Sequence, residues 1–185
     1  MSAMPEPPLC AAPDPAPRKP KITLPAGATD THAHICGPKS QYAYFSERVY
    51  TPPDCLLPAY SHMLKTLGVE RAVLVQPSVY GTDNTAMLDA MKVAGKSFRG
   101  VSVVADDISE AELKRLHEAG VRGVRVNIVD APNRKPGTLP MDALKKLAQK
   151  VKPFGWHMEF LAHVDEFPDL DNMLDGFPVD TVYGH

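Results

Sequence analysis

The sequence predicts an α/β protein built as a (β/α)8 TIM barrel, of which it contains about six β/α units. Short apolar runs alternate with longer amphipathic segments, and the runs begin roughly 20 to 45 residues apart. This alternation predicts a parallel sheet. With right-handed crossovers between its strands, such a sheet is either a closed barrel or an open doubly wound sheet. No GxGxxG follows the first run, which disfavours a dinucleotide-binding sheet. Because a barrel needs eight units and about 250 residues, we expect an incomplete barrel that ends two units short.

The apolar runs and helix signals define the individual elements. The short runs between the amphipathic segments predict strands over 28–34, 71–77, 99–104, 121–128, 157–161 and 181–185. A capping box from Ser109 to Glu112 predicts a helix that Gly120 ends, and Gly68 ends a helix over 57–67 in the same way. Leu144, Leu147, Ala148 and Val151 give the following helix an apolar face.

Proline content divides the chain into two parts. Residues 1–20 contain seven prolines, and such a segment supports neither a helix nor a strand ladder. We therefore predict a disordered Pro-rich tail over 1–20 and the N-terminal part of a barrel domain over 21–185.

Composition excludes several classes of protein. The chain has 185 residues, 44% hydrophobic and 23% charged, with a formal net charge of −2, which gives no reason to expect nucleic acid or a membrane surface as a partner. Three cysteines without CxxC spacing argue against a disulfide framework and a structural zinc site. The N-terminus lacks the apolar region of a secretory signal, so we expect a cytoplasmic protein.

The first strand carries Asp30, His32 and His34 at alternating positions. Alternation puts the three side chains on one face, which in a barrel points inward. An HxH pair can bind a divalent metal or polarise a substrate oxygen, although satisfied core histidines remain the alternative. We predict His32 and His34 as catalytic residues, or as metal ligands if the protein depends on a metal.

Two connections supply further candidates. Residues 35–53 form a connection longer than usual, with Tyr50 and Arg48 as candidate substrate contacts in a lid, or else a surface loop with a small aromatic cluster. Ser78 follows the second strand, where its hydroxyl is placed to bind a ligand. Asp83 is predicted to cap a helix instead.

The fourth and sixth strands complete the predicted site. Alternation directs Val124 toward the helices, and Arg125 and Asn127 into the barrel. A buried guanidinium needs an anion, either a substrate carboxylate or another side chain. His185 ends the sixth strand and is a third candidate catalytic histidine.

The stretches GATDTHAHICGP, ERVYTP, VLVQPSVYGTDN, AGVRGVRVN and GWHMEF resemble the amidohydrolase-related (amidohydrolase 2) family, in particular its 2-pyrone-4,6-dicarboxylate lactonases. The resemblance runs from about Pro20 to His185. It implies an amidohydrolase-type barrel that opens the lactone ring of a small carboxylated substrate without a metal. It also implies substrate contacts at the positions His32, His34, Tyr50, Ser78, Arg125 and His185.

The resemblance places the general base, an aspartate that activates water, on an eighth strand that we expect to be missing. It also places a further arginine where this chain has Ala131, for which Arg134 is a candidate substitute. Two alternatives stay open: a metal-dependent amidohydrolase or decarboxylase with zinc or manganese on His32 and His34, and an inactive fragment that associates through its open sheet edges.

Overall fold

Six strands alternate with helices along the chain, in a computed structural model that describes residues 6–130 and 135–184. The strands run in chain order through one sheet. The pairs β1–β2, β4–β5 and β5–β6 are parallel. Their bounds are β1 Thr29–Ala33, β2 Arg71–Val75, β3 Phe98–Ser102, β4 Val121–Asn127, β5 His157–Leu161 and β6 Thr181–Gly184. Every predicted strand is present, each within three residues of its expected ends in the described part of the chain.

The three helices that the sequence predicted are present among the five helices of the described residues. The five are α1 Leu57–Leu67, α2 Thr85–Ala94, α3 Glu110–Glu118, α4 Met141–Val151 and α5 Leu170–Met173. The Ser109 hydroxyl accepts a hydrogen bond from the Glu112 amide, as a capping residue does. Gly68 ends α1 at a φ of 80°, a left-handed conformation that glycine adopts without a steric penalty.

The chain divides into two compact units between Gly100 and Val101. In the first unit, the core contains Leu64, Leu74, Val75, Met87, Met91 and Phe98. In the second unit, it contains Leu113, Leu116, Val121, Val124, Leu144, Val151, Trp156, Met158 and Phe160. In both units, strand residues therefore bury apolar side chains together with the inner faces of helices.

Part of the Pro-rich segment pairs with Thr51 within the first unit. Leu9 forms a parallel bridge with Thr51, and the Cys10 amide donates to the Thr51 carbonyl at 2.9 Å. The Thr51 amide in turn donates to the Pro8 carbonyl at 2.8 Å. The expectation of disorder over 1–20 stays a prediction, but residues 8–10 have a specific hydrogen-bonding partner.

Across the described ranges, no helix combines the length and the apolar character needed to cross a bilayer.

Candidate active site

His32 and His34 lie together at the carboxyl end of β1. Their ring centroids are 5.1 Å apart in an edge-to-face arrangement, and both side chains are half-buried. The His34 Nδ1 lies 2.7 Å from the carbonyl oxygen of Val75, the last residue of β2. Because a carbonyl oxygen only accepts, Nδ1 carries the proton, and a neutral ring then has its lone pair on Nε2. The protein thus fixes the orientation and the tautomer of His34.

Asp30 is bound by the protein's own groups. Its carboxylate accepts a 2.9 Å hydrogen bond from the Tyr60 hydroxyl in α1 and a 3.1 Å bond from the His32 amide. Burial and this bond raise the pKa of Tyr60. The register of β1 on β2 also shifts between Asp30 and Ala33, which interrupts the simple alternation predicted for Asp30, His32 and His34.

The aromatic residues of the 35–53 connection form a cluster. Tyr42, Tyr44 and Tyr50 pack against a core of Val79, Tyr80 and Ala86. The Tyr80 hydroxyl accepts a 2.7 Å hydrogen bond from the Gly37 amide, and burial raises the pKa of Tyr80. The connection therefore contains the small aromatic cluster that the surface-loop interpretation predicts. The contact between Tyr50 and a substrate stays a prediction.

Arg48 is engaged by its neighbours in the first unit. Its guanidinium lies 2.5 Å from a carboxylate oxygen of Glu6 and donates to the Thr51 hydroxyl at 3.2 Å. The same group lies 5.5 Å from the centre of the Tyr44 ring. These contacts hold Arg48 between the Pro-rich segment and the loop, and its predicted contact with substrate stays untested.

The end of β2 leads into a short turn that contains Ser78. Ser78 is half-buried and opens the 3-10 turn Ser78–Tyr80. Gln76 before it is fully buried, and its amide donates to the Asp83 carbonyl at 2.6 Å. The Asp83 carboxylate accepts from the Thr85 amide at the start of α2, while Asn84 occupies the capping position. The Asn84 side chain makes no capping hydrogen bond, so the Asp83 carboxylate binds the first amide of α2 from one residue before the capping position.

Arg125 faces a carboxylate that the sequence analysis missed. Arg125 and Glu159 are register partners on β4 and β5, and the Arg125 Nε lies 3.4 Å from a Glu159 carboxylate oxygen. Their side chains are only 5% and 4% exposed. Alternate positions along β5 carry His157 and Glu159, and this polar alternation in an otherwise apolar strand was the available signal.

Burial and charge act against each other on this face of the second unit. Burial raises the pKa of Glu159, and the neighbouring Arg125 cation lowers it, with burial the larger cause. Burial also lowers the pKa of His157, which pairs in register with Gly123. Glu159 therefore supplies, from within the protein, the anion that the buried Arg125 guanidinium needs. Of the two predicted anions, a substrate carboxylate or another side chain, this is the second.

Asn127 makes a local turn after β4. Its side-chain amide donates to the Asp130 carboxylate at 2.8 Å, and its carbonyl oxygen accepts from the Asp130 amide at 3.0 Å. Val124 on the alternate face is fully buried, as predicted. The role of Asn127 in substrate binding stays a prediction.

The remaining candidates lie outside the described residues. These are His185, the third predicted histidine, and the positions Ala131 and Arg134. Within residues 6–130 and 135–184, no group of three or more His, Cys, Asp or Glu side chains is arranged to hold a metal ion. His32 and His34 alone supply two imidazole donors, a set that fits part of a metal site.

A comparison with protein families assigns the chain. The amidohydrolase model matches residues 29–185, which include both histidines and all six strands. The chain belongs to the amidohydrolase family. The predicted family resemblance is thereby confirmed.

Curated members of the family supply more specific similarities. The chain is 40% identical over 169 residues to a 2-pyrone-4,6-dicarboxylate hydrolase of Comamonas testosteroni, covering 91% of this chain and 54% of that protein. It is 29% identical over 165 residues to a 4-sulfomuconolactone hydrolase of Hydrogenophaga intermedia, covering 89% and 54%. The amidohydrolase chain thus spans about half the length of the curated relatives that it matches.

Solved structures confirm the fold class. The chain superposes with a TM-score of 0.74 and 28% identity on a "probable 2-pyrone-4,6-dicarboxylic acid hydrolase" from Acinetobacter baumannii with citric acid bound. The match covers 86% of this chain and 58% of that one. The six parallel β/α units therefore correspond to part of an amidohydrolase-type barrel, as the sequence predicted.

Proposed function

We propose that this amidohydrolase chain belongs to an enzyme that opens the lactone ring of a small carboxylated substrate similar to 2-pyrone-4,6-dicarboxylate. The observation that carries the proposal is the pair His32 and His34 at the end of β1, with the His34 ring fixed by Val75, in a chain 40% identical to a hydrolase of that substrate. Active sites of barrels lie at the carboxyl ends of the strands.

In the proposed reaction, water attacks the lactone carbonyl carbon and the ring C–O bond breaks. His32 and His34 polarise the carbonyl and stabilise the oxyanion that forms. For His34 this role requires the imidazolium form, in which Nε2 also carries a hydrogen that it can donate, because Nδ1 is already engaged by the Val75 carbonyl. The family resemblance assigns activation of the water to an aspartate on an eighth strand, beyond the six strands of this chain. Turnover is therefore proposed for a barrel that includes that strand, and substrate binding for the present chain.

The other predicted contacts have different degrees of support. Arg125 has the fork geometry that binds a carboxylate, but Glu159 already lies beside it, so a substrate would share the guanidinium with Glu159. Tyr50 and Ser78 are half-buried on the loop and turn of the first unit. His185 is proposed as a third histidine of the site.

A metal-dependent reaction in the same family is the second candidate. The hydrogen bond from His34 Nδ1 to the Val75 carbonyl resembles the outer contacts that orient metal-binding histidines. His32 and His34 would then hold zinc or manganese, which supplies a nucleophilic hydroxide when bound. The first proposal needs no such ion.

The test is calorimetric binding of 2-pyrone-4,6-dicarboxylate to the 185-residue chain, with loss of the pyrone absorbance measured in parallel. His34→Asn preserves a donor for Val75 while removing Nε2, and we expect it to weaken binding at least tenfold. The control is His62→Asn on the exposed side of α1, which should bind like the wild type. Equal affinities of the two variants would contradict the proposal. Stoichiometric zinc or manganese whose removal abolishes binding would favour the metal-dependent reaction.

The cytoplasmic location also remains a proposal from the sequence. Fractionation of the native host, with detection of the chain by antibody, tests it.

A further inference from the structure

The chain's three cysteines lie in the first unit, and two of them are direct partners. Cys36 and Cys55 form an isolated antiparallel bridge. The Cys36 amide donates to the Cys55 carbonyl at 3.2 Å, and the Cys55 amide donates to the Cys36 carbonyl at 2.8 Å. Cys36 is buried, Cys55 is half-buried and Cys10 is exposed, and all three are reduced thiols.

The backbone pairing brings these two side chains within reach of each other. Directly opposed residues of an antiparallel hydrogen-bonded pair have Cα atoms about 5.5 Å apart and side chains on the same side. Disulfides join residues whose Cα atoms are about 4.4 to 6.8 Å apart, which this pairing meets. Their Cβ atoms are about 3.5 to 4.5 Å apart, against about 5.5 Å in a hydrogen-bonded pair, so bond formation also requires the two Cβ atoms to approach each other by about 1 Å. The two thiols also influence each other, because Cys55 is the largest cause after burial of the raised pKa of Cys36, which reaches about 12.

The position of the pair gives a bond between them a structural consequence. Cys36 and Cys55 stand at the two ends of the connection that carries Tyr42, Tyr44 and Tyr50. A bond between the sulfurs would close residues 37–54 into a covalent ring. The loop's base would then be fixed covalently as well as by its two backbone hydrogen bonds.

We propose that Cys36 and Cys55 are a reversible disulfide site that fixes the base of this loop under oxidising conditions. The oxidant is a low-molecular-weight disulfide. The Cys55 thiolate attacks one of its sulfur atoms, the S–S bond breaks, and one small thiolate leaves. The Cys36 thiol then loses its proton to solvent and attacks the Cys55 sulfur, releasing the second small thiolate. Two protein thiols are oxidised, and one small disulfide is reduced to two thiols.

The exposure of the two residues sets the order of these steps. Cys55 is half-buried and therefore reachable by a small disulfide, whereas Cys36 is buried. Burial keeps the Cys36 pKa near 12, so only a small fraction of the thiol is ionised at neutral pH. The second step is therefore slow, and its rate should rise about tenfold per pH unit between pH 7 and 9 because the thiolate fraction does.

The experiment treats the 185-residue chain with oxidised glutathione, blocks the remaining thiols, and maps the peptides by mass spectrometry without reduction. We expect a cross-linked peptide pair containing Cys36 and Cys55, lighter by two hydrogen atoms, that dithiothreitol separates. Cys10→Ser is the matched control and should form the same pair. Cys36→Ser should stop at a glutathione adduct on Cys55, and circular dichroism checks that both variants fold.

Two results on the wild-type chain would overturn the proposal. One is glutathione that stays on Cys55 at pH 9, and the other is a cross-link that contains Cys10. Neither result depends on catalysis, so the disulfide site and the proposed lactone hydrolysis are tested separately.

Discussion

The Arg125 guanidinium and the Glu159 carboxylate lie opposite each other on adjacent parallel strands, with 3.4 Å between Nε and the nearer carboxylate oxygen. Both side chains are almost completely buried. Two opposite charges removed from water lose hydration that their mutual attraction only partly replaces. The direction of the Glu159 pKa agrees, because burial raises it by more than Arg125 lowers it. Each residue thus limits the electrostatic cost of burying the other.

Replacement of Arg125 should destabilise the chain strongly. In Arg125→Met, Glu159 remains buried without the cation beside it, and we expect the free energy of unfolding to fall by about 3 kcal/mol at pH 7. Denaturation with urea measures the free energy of unfolding of the wild type and the variant. The control is Arg115→Met, which breaks the exposed pair of Arg115 with Glu112 and should cost less than about 1 kcal/mol.

A double replacement separates the charge from the packing. Arg125→Met combined with Glu159→Leu removes both buried charges and fills the site with apolar atoms, so it should recover most of the stability lost in Arg125→Met. If the double variant is as unstable as the single one, the loss comes from packing and the electrostatic account of the pair is wrong.

Glu159 should also give the stability an unusual pH dependence. A carboxyl group with a raised pKa holds its proton in the folded state at pH values where the unfolded chain has released it, so stability falls as pH rises through that range. The range begins near the unfolded glutamate pKa of about 4.3 and ends at the folded pKa of Glu159. Glu159→Gln does not titrate, so its stability relative to the wild type should increase with pH across that range.

Urea titrations of both proteins at a series of pH values measure this difference, in which the contributions of the other carboxyl groups largely cancel. The slope of the difference is limited to about 1.4 kcal/mol per pH unit for one proton. A difference that is independent of pH would show that burial and Arg125 cancel at Glu159, and one that decreases as pH rises would show that Arg125 outweighs burial.

The sequence was sufficient for the strands, for the ends of α1 and α3 and for the placement of His32 and His34 on one strand. These features depend on local patterns, namely apolar runs, capping residues and alternation along one strand. The Ser109 cap and the left-handed Gly68 illustrate this, since each needs only its neighbours in the chain.

The features that the sequence did not specify depend on pairing between distant residues. Glu159 lies beside Arg125 because of the register between β4 and β5, which neither strand's own sequence determines. The register shift between Asp30 and Ala33 likewise arises from the pairing of β1 with β2. Arg48 faces Glu6 because the Pro-rich segment returns to residue 51, a contact that composition alone does not reveal.

Tyr60 should contribute measurable stability through its hydroxyl. It donates a 2.9 Å hydrogen bond to the Asp30 carboxylate in a half-buried setting, whereas Tyr42 makes a similar 2.9 Å bond to Asp89 at the surface. Because hydrogen bonds to charged groups are the stronger ones, Tyr60→Phe should lower the free energy of unfolding by about 2 kcal/mol. Tyr42→Phe is the matched control and should cost clearly less. Equal losses of unfolding free energy in Tyr60→Phe and Tyr42→Phe, measured by thermal or urea unfolding, would mean that burial does not strengthen the bond to Asp30.

Gly123 should be intolerant of even a methyl group. A Cβ placed there would lie 2.5 to 3.0 Å from three atoms of the His157 ring, its register partner on β5. The His157 side chain is half-buried, which limits the space into which its ring can move. Gly123→Ala should therefore destabilise the chain by about 1 to 3 kcal/mol.

A double variant tests the contact with His157. Gly123→Ala combined with His157→Ala removes the ring, and it should be more stable than the sum of the two single effects predicts. Urea unfolding of the wild type, the two single variants and the double variant measures this difference. Additive losses would mean that the cost at Gly123 arises from the backbone, and that contact with His157 has no part in it.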